Sequence, residues 1–332
     1  MFSLSTQYKF WLFSNEERLC TLRHKANSNF IQQHGKGIKD ETKYIFFLSP
    51  QEERMLCKYY EHILRDFCRK FQPEMPKCVL GTSFQYFKRF YLNNSVMDYH
   101  PKNVMVTCVY LACKVEEFNV SITQFVANIK GDREKAMDVI LNNELLLMQQ
   151  LNYHLTIHNP YHPIEGFLID LKTRYHSLSD PERLRPFIDE FLDRSVFSDV
   201  YLLHPPSQVG LAAILYSATK LKENIDSYIN DVLMMKLSKE KIINLKNSLR
   251  SICSMVKPSE CPPKDQIKII EKKLEKCRNQ ENNPDSIIYK RKLQEMLDEE
   301  EWMPNQKYAR ISEEQKRIEE ELLATTRMSD LC

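Results

Sequence analysis

Three groups of residues in this 332-residue chain have the types and spacing to do chemistry. His154, His158 and His162 recur at i, i+4 and i+8, a spacing that would gather three imidazoles around a metal on one unbroken helix. Asn159-Pro160 interrupts that helix, because proline turns the preceding residue away from helical geometry. With no cysteine beside them, the three histidines are expected to hold no metal. Tyr86, Phe87, Phe90 and Tyr91 enclose Lys88 and Arg89, a mixture that could stack bases and neutralise phosphates. Lys114, Glu116 and Glu117 close an otherwise apolar helix, and charges in that place resist burial unless something docks on them. No P-loop, G-x-S-x-G, H-E-x-x-H or G-x-G-x-x-G occurs, so no catalytic arrangement is recognisable and the chain is not expected to be an enzyme.

The elements that must carry these groups are helices. Six glycines against fifteen prolines is the wrong balance for sheets and hairpins and the right one for punctuated helices. The central helix is predicted over 101–118, where Pro101 opens it and Val104, Cys108, Leu111 and Val115 repeat at i, i+4, i+7 and i+11. Small residues (Thr107, Cys108, Ala112, Cys113) let neighbours approach on several sides. Around it the pattern predicts helices at 15–30, opened by Ser14 with Glu17, and from Ser49-Pro50 with Glu52. A further helix carries Val79 to Phe90, a short one follows Ser121 with Gln124, and a long one spans 133–155. Residues 32–48, with Gly35 and Gly37, read as linker.

After Asn159-Pro160 the pattern restarts, with helices expected at 163–175, 186–203, 207–222, 225–235 and 239–256. Leu215 to Lys220 can be laid over Val109 to Lys114 at an offset of 106 residues. Five helices followed by five suggest a duplicated unit of about 100 residues. One more amphipathic helix carries Ile267, Ile270, Leu274 and Cys277. Beyond it the composition turns to charge runs, Lys290-Arg291-Lys292 and Asp298 to Glu301, which cannot bury enough apolar surface to order themselves. The expected divisions are therefore 1–48 as N-terminal arm and helix, 49–158 and 159–257 as the two units, 258–280 as a C-terminal helix, and 281–332 as a charged, disordered tail, with a marginal helix capped by Ser312.

Charge excludes some partners. The net charge is +2, and residues 50–158 and 159–257 each hold 13 Lys+Arg against 12 Asp+Glu, so neither unit offers phosphate a basic surface. No apolar run approaches the roughly 18 residues of a membrane span, and Gln7 and Lys9 break the stretch a signal peptide would need. An intracellular protein is expected. Its ten cysteines form no C-x-x-C and read as small core fillers in a reducing compartment.

Three stretches carry a family resemblance. L-A-C-K-V-E-E-F at 111–118 resembles the signature of the cyclin box. Y-F-K-R-F-Y-L-N-N-S-V-M at 86–97 and H-N-P-Y-x-P-x-E-G-F-L-I-D-L-K-T-R-Y at 158–175 are similar to the cyclins of the CDK-activating kinase. The resemblance runs from about Phe10 to Cys277. It implies an all-α protein of two tandem five-helix cyclin folds with flanking N- and C-terminal helices that pack near the first. It implies a regulatory, nuclear protein whose partners are a cyclin-dependent kinase catalytic subunit, a RING-finger assembly factor and the TFIIH core. It further implies that Lys114 and Glu144, with Glu117 beside them, contact the kinase, and it implies no cofactor. The rival is a tandem cyclin-fold protein related to TFIIB that grips DNA, which would want excess positive charge and an N-terminal zinc ribbon. Met55-Leu56-Cys57-Lys58-Tyr59 departs from the M-R-x-I-L docking patch of cell-cycle cyclins, so recruitment of substrates by that route is not expected.

Overall fold

The computed structural model describes residues 2–38, 40–175, 177–178, 180–225, 227–233 and 238–295. Its α-helices run in chain order as α1 (Thr6–Phe10), α2 (Glu16–His34), α3 (Asp40–Phe46), α4 (Pro50–Lys70), α5 (Lys77–Asn93), α6 (Pro101–Val115), α7 (Ile122–Ala127), α8 (Arg133–Gln150), α9 (Tyr161–Arg174), α10 (Arg185–Ser195), α11 (Val200–Leu203), α12 (Pro206–Leu221), α13 (Lys239–Met255) and α14 (Lys264–Cys277). No strand occurs among the described residues. The chain divides into a compact unit, Met1–Arg278, and a second unit from Asn279 onward. Described residues of the second unit form a short 3-10 turn, Gln280–Asn282, and a helical stretch at 287–295. The rest of the tail, with Asp298 to Glu301 and Ser312, lies outside the described residues.

Both halves of the first unit are built alike. In one, α6 packs against α4, α5 and α8; in the other, α12 packs against α9, α10 and α13. Each central helix starts with proline, whose missing N–H has no intrahelical partner at that position. Each is sealed: Cys108, Val109, Ala112 and Cys113 on α6, and Val209, Ala212, Ala213 and Ile214 on α12, are almost inaccessible. Small residues at these positions are what allow three neighbours to close in. The capping boxes read from sequence form at Ser49/Glu52 and Ser121/Gln124.

Several expectations need correction. α2 is capped by Asn15 rather than Ser14, because the Phe13 N–H is spent on Leu202 O at 2.8 Å and the chain is still extended at Asn15, whose side chain accepts from Arg18 N. The helix continues past Phe30 to His34 and stops at Gly35. The supposed linker contains α3, and it ends on the buried pair Phe47 and Leu48. The helix expected at 186–203 is two pieces. Ser195 and Ser198 turn their hydroxyls onto local backbone, Ser195 to Leu192 O and Ser198 to Ser195 O, which competes with helix continuation. The described part of 225–235 is a π-helix, Tyr228–Leu233, anchored by Tyr228 Oη donating to Asp170 at 2.7 Å. The central helix ends at Val115 rather than Phe118, and Val115 is only partly buried.

The break after Ser195 aims Asp199 back at the first half. Arg23 of α2 grips it with two hydrogen bonds of 2.9 Å, Arg54 of α4 reaches it at 3.4 Å, and Lys88 of α5 lies 3.6 Å away. Lys88 also meets Glu61 of α4 at 3.0 Å, with Arg54 3.3 Å from the same carboxylate oxygen. Burial alone would push the Asp199 carboxyl up; Arg54, Lys88 and Arg23 outweigh it and hold the group well below the usual carboxylate range. Five charges thus bind α2, α4 and α5 of the first half and the second half together. A second junction runs through Asn159, whose side chain donates to Cys78 O and Thr82 Oγ1 of α5. Gly81 sits where any Cβ would strike Asn159, so this close approach needs glycine.

The flanking helices pack on the first half, as the family resemblance implies. α2 lies on α5 and α4, and α14 lies on α4, where Tyr60 Oη donates to Glu271 at 2.9 Å and Lys273 meets Glu52 at 2.9 Å.

Candidate functional site

The end of α6 is shaped by how the helix stops. His100 caps its start by accepting from Lys102 N at 3.1 Å, and every residue from Thr107 to Cys113 is buried. At the other end Phe118 N donates to Cys113 O at 2.9 Å and Glu117 N to Lys114 O at 3.3 Å. Together with Glu117 at φ 57°, that is the pattern of a Schellman cap. The left-handed position usually belongs to glycine or asparagine; a glutamate there costs about 1–2 kcal/mol. Glu116, by contrast, points inward and accepts from the Thr82 hydroxyl, which joins it to the Asn159 junction. Lys114 and Glu117 are left exposed.

Glu144 comes to this corner on α8, whose start is capped by Asp132 accepting from Lys135 N at 3.1 Å. Ile140 and Leu147 bury against α6, and this fixes the rotation of α8. Lys114 Nζ then lies 2.6 and 2.8 Å from the two Glu144 oxygens, and 4.7 Å above the Tyr110 ring one turn back. The lysine side chain is 46% exposed and the glutamate 14%. An ammonium has three donors, so one remains free for another molecule. An ion pair this open adds about 0–1 kcal/mol to stability.

The same rotation turns Leu141 and Leu145 outward. Both are exposed, and with Glu144 they make an apolar and charged stripe at i, i+3 and i+4. Sequence reading missed these two leucines. The signal was the run Glu144-Leu145-Leu146-Leu147, in which a helix with one core face cannot bury every leucine.

The other chemistry-bearing groups go elsewhere. Tyr86, Phe87, Phe90 and Tyr91 are buried, as are Lys88 and Arg89, so this run builds the core and presents nothing to phosphate. Arg89 lies 4.9 Å from the Trp11 ring centre, and burial lowers its guanidinium pKa to about 9. The three histidines do not converge. His154 Nδ1 accepts from Trp11 Nε1 at 3.1 Å, His158 N donates to Gln7 Oε1 at 2.7 Å, and His162 is exposed on the first turn of α9. Two of them therefore fasten the N-terminal segment over the connection between the halves.

Two five-helix halves, each wrapped around a sealed, proline-started central helix, define a helical protein of cyclin architecture. Comparison with known proteins agrees. Residues 28–156 match the family model described as Cyclin, N-terminal domain, and residues 159–257 match Cyclin C-terminal domain. Cyclin-H of Xenopus laevis is 46% identical over 284 residues, covering 85% of this chain and 88% of the relative. Cyclin-H1-1 of Arabidopsis thaliana is 30% identical over 310 residues, covering 86% and 90%. A chain in the structure of the CAK complex of Chaetomium thermophilum bound to ATP-gamma-S is 26% identical, with a TM-score of 0.72 over 88% of this chain and 94% of that one. The chain belongs to the cyclin family, in its cyclin-H group.

Proposed function

We propose that this chain is the regulatory cyclin subunit of a CDK-activating kinase, and that it binds its cyclin-dependent kinase through the corner carrying Lys114, Glu144 and Glu117. The observation that carries the reading is the open Lys114–Glu144 pair beside the outward-facing Leu141 and Leu145. They are polar and apolar anchors on two helices whose other faces are locked in the core. A kinase is competent only when the glutamate of its αC helix pairs with the lysine that positions the ATP phosphates. A rigid surface that holds αC inward therefore switches catalysis without supplying a catalytic group. Rigidity is what the sealed α6 and the five-charge bolt provide. Glu117 adds a carboxylate held in a costly backbone conformation, a placement that invites a functional reason.

On the same reading the chain is not itself catalytic. The phosphotransferase it activates acts on activation loops of other such kinases and on the C-terminal domain of RNA polymerase II. A RING-finger assembly factor and the TFIIH core complete the assembly, and the protein is nuclear. These finer points rest on the family resemblance and on the cyclin-H relatives. Reconstitution of the kinase with and without this chain tests the reading; Lys114→Ala and Glu144→Ala should weaken the complex while each variant stays folded.

A further inference from the structure

Away from that corner, α3 and α14 leave a groove that the fold does not fill. Ile45 is 76% exposed, Ile269 67% and Phe46 39%. With Thr42, Lys272, Lys273 and Lys276 they line a space of about 540 Å³. The described residues that line it include three lysines and no carboxylate. Lys273 is spent on Glu52, whereas Lys272 and Lys276 are exposed and have no ion-pair partner among the described residues. On α14 the buried stripe is Ile267, Ile270, Leu274 and Cys277. Ile269, Lys272, Lys273 and Lys276 form a second stripe at i, i+3, i+4 and i+7, turned away from the core. An isoleucine in that stripe gains nothing from the fold, and neither does Ile45 beside the buried Phe47 and Leu48.

We infer that this groove docks an acidic amphipathic segment of a partner protein, with bulky apolar side chains seated on Ile45, Phe46 and Ile269 and carboxylates meeting Lys272 and Lys276. The occupant follows from complementarity. An apolar floor with a lysine rim fits a helix that carries apolar anchors at i, i+3 or i+4 and i+7, flanked by Asp or Glu. A phosphate backbone would gain nothing from the floor. A second copy packed two-fold on this groove would set Lys272 and Lys276 against their own kind, which like-charge repulsion opposes. Neither α3 nor α14 carries the Lys114–Glu144 pair, so this surface can be occupied while the kinase is bound.

Fluorescence anisotropy on the full chain tests it. The probe is a labelled helical peptide of about four turns, with leucines at i, i+4 and i+7 and glutamates on its flanks; a twin carries lysines instead. Saturable binding of the glutamate peptide is expected, weakening with salt. The double variant Lys272→Glu, Lys276→Glu should bind it about tenfold less and bind the lysine twin more. Ile269→Ser should weaken binding of the glutamate peptide to wild-type rims. Equal binding of both peptides, or no saturable binding, would overturn the inference. So would comparable binding of duplex DNA, a concentration-dependent dimer abolished by Ile269→Ser, or peptide binding seen only after removal of residues 296–332, whose Asp298 to Glu301 run would then compete. Both variants should keep kinase binding, so failure here is separable from failure of the proposed function.

Discussion

Lys88 and Glu61 meet at 3.0 Å with 1% of each side chain exposed, and Asp199, from the other half of the chain, lies 3.6 Å from the same ammonium. Burial lowers the lysine pKa while Glu61 and Asp199 oppose the change. Removing one member leaves an uncompensated charge in the interior. Lys88→Ala should therefore destabilise the fold by about 3–5 kcal/mol, measured as the shift in urea midpoint. Replacing Lys88 and Glu61 together by Met and Leu should recover much of that loss.

Glu53 predicts a pH dependence of the opposite sign from an ordinary ion pair. Burial raises its pKa to about 7, against lowering hydrogen bonds from Ser95 and Asn27. A carboxyl with a raised folded-state pKa contributes stability that is fully present below its unfolded value of 4.5. That contribution is lost as pH rises through about 7. Unfolding free energy should fall by a few kcal/mol between pH 5 and 8 from this group. Glu53→Gln should flatten that slope in denaturation curves taken across the range.

Trp11 joins the N-terminal segment to the cyclin folds through His154 and Arg89. Trp11→Ala removes a core indole, at a cost of about 3–5 kcal/mol, and leaves Arg89 without its aromatic partner. Proteolysis should then attack residues 2–13 first, and kinase activation should fall at temperatures where the folds themselves persist.

Glu117 separates stability from function. Glu117→Gly relieves the left-handed backbone and should stabilise the protein by about 1 kcal/mol, read as a rise in Tm. If its carboxylate contacts the kinase, the same variant binds more weakly. A more stable variant with unchanged affinity would remove Glu117 from the docking corner.

Much of this was legible in the sequence, for stated physical reasons. Apolar periodicity, proline starts and capping boxes located α4, α6, α7 and α12, because these are local signals. Lys114 stood out as the charge ending a sealed helix. What escaped depends on tertiary contacts: α3 is too short to show a period, Asn15 takes the cap because Phe13 is held by Leu202, and Ser195 and Ser198 split a helix whose apolar pattern runs through. Lys88 and Arg89 could be read as groups for phosphate because two of the partners that bury them, Asp199 and Trp11, are more than seventy residues away in the chain. Leu141 and Leu145 escaped because a leucine reads as core until the rotation of its helix is known.

If a rigid helical surface, without a catalytic group of its own, brings a separate kinase into working order, the kinase's rate must depend on that surface. The most direct measurement is the phosphorylation rate of a purified cyclin-dependent kinase, alone, with this chain, and with the chain carrying Leu141→Ser and Leu145→Ser. A large gain in rate is expected with the wild-type chain and loss of most of that gain with the double variant, whose unfolding midpoint stays close to wild type because both leucines are already exposed. A kinase equally active without the chain, or fully activated by the double variant, would contradict it.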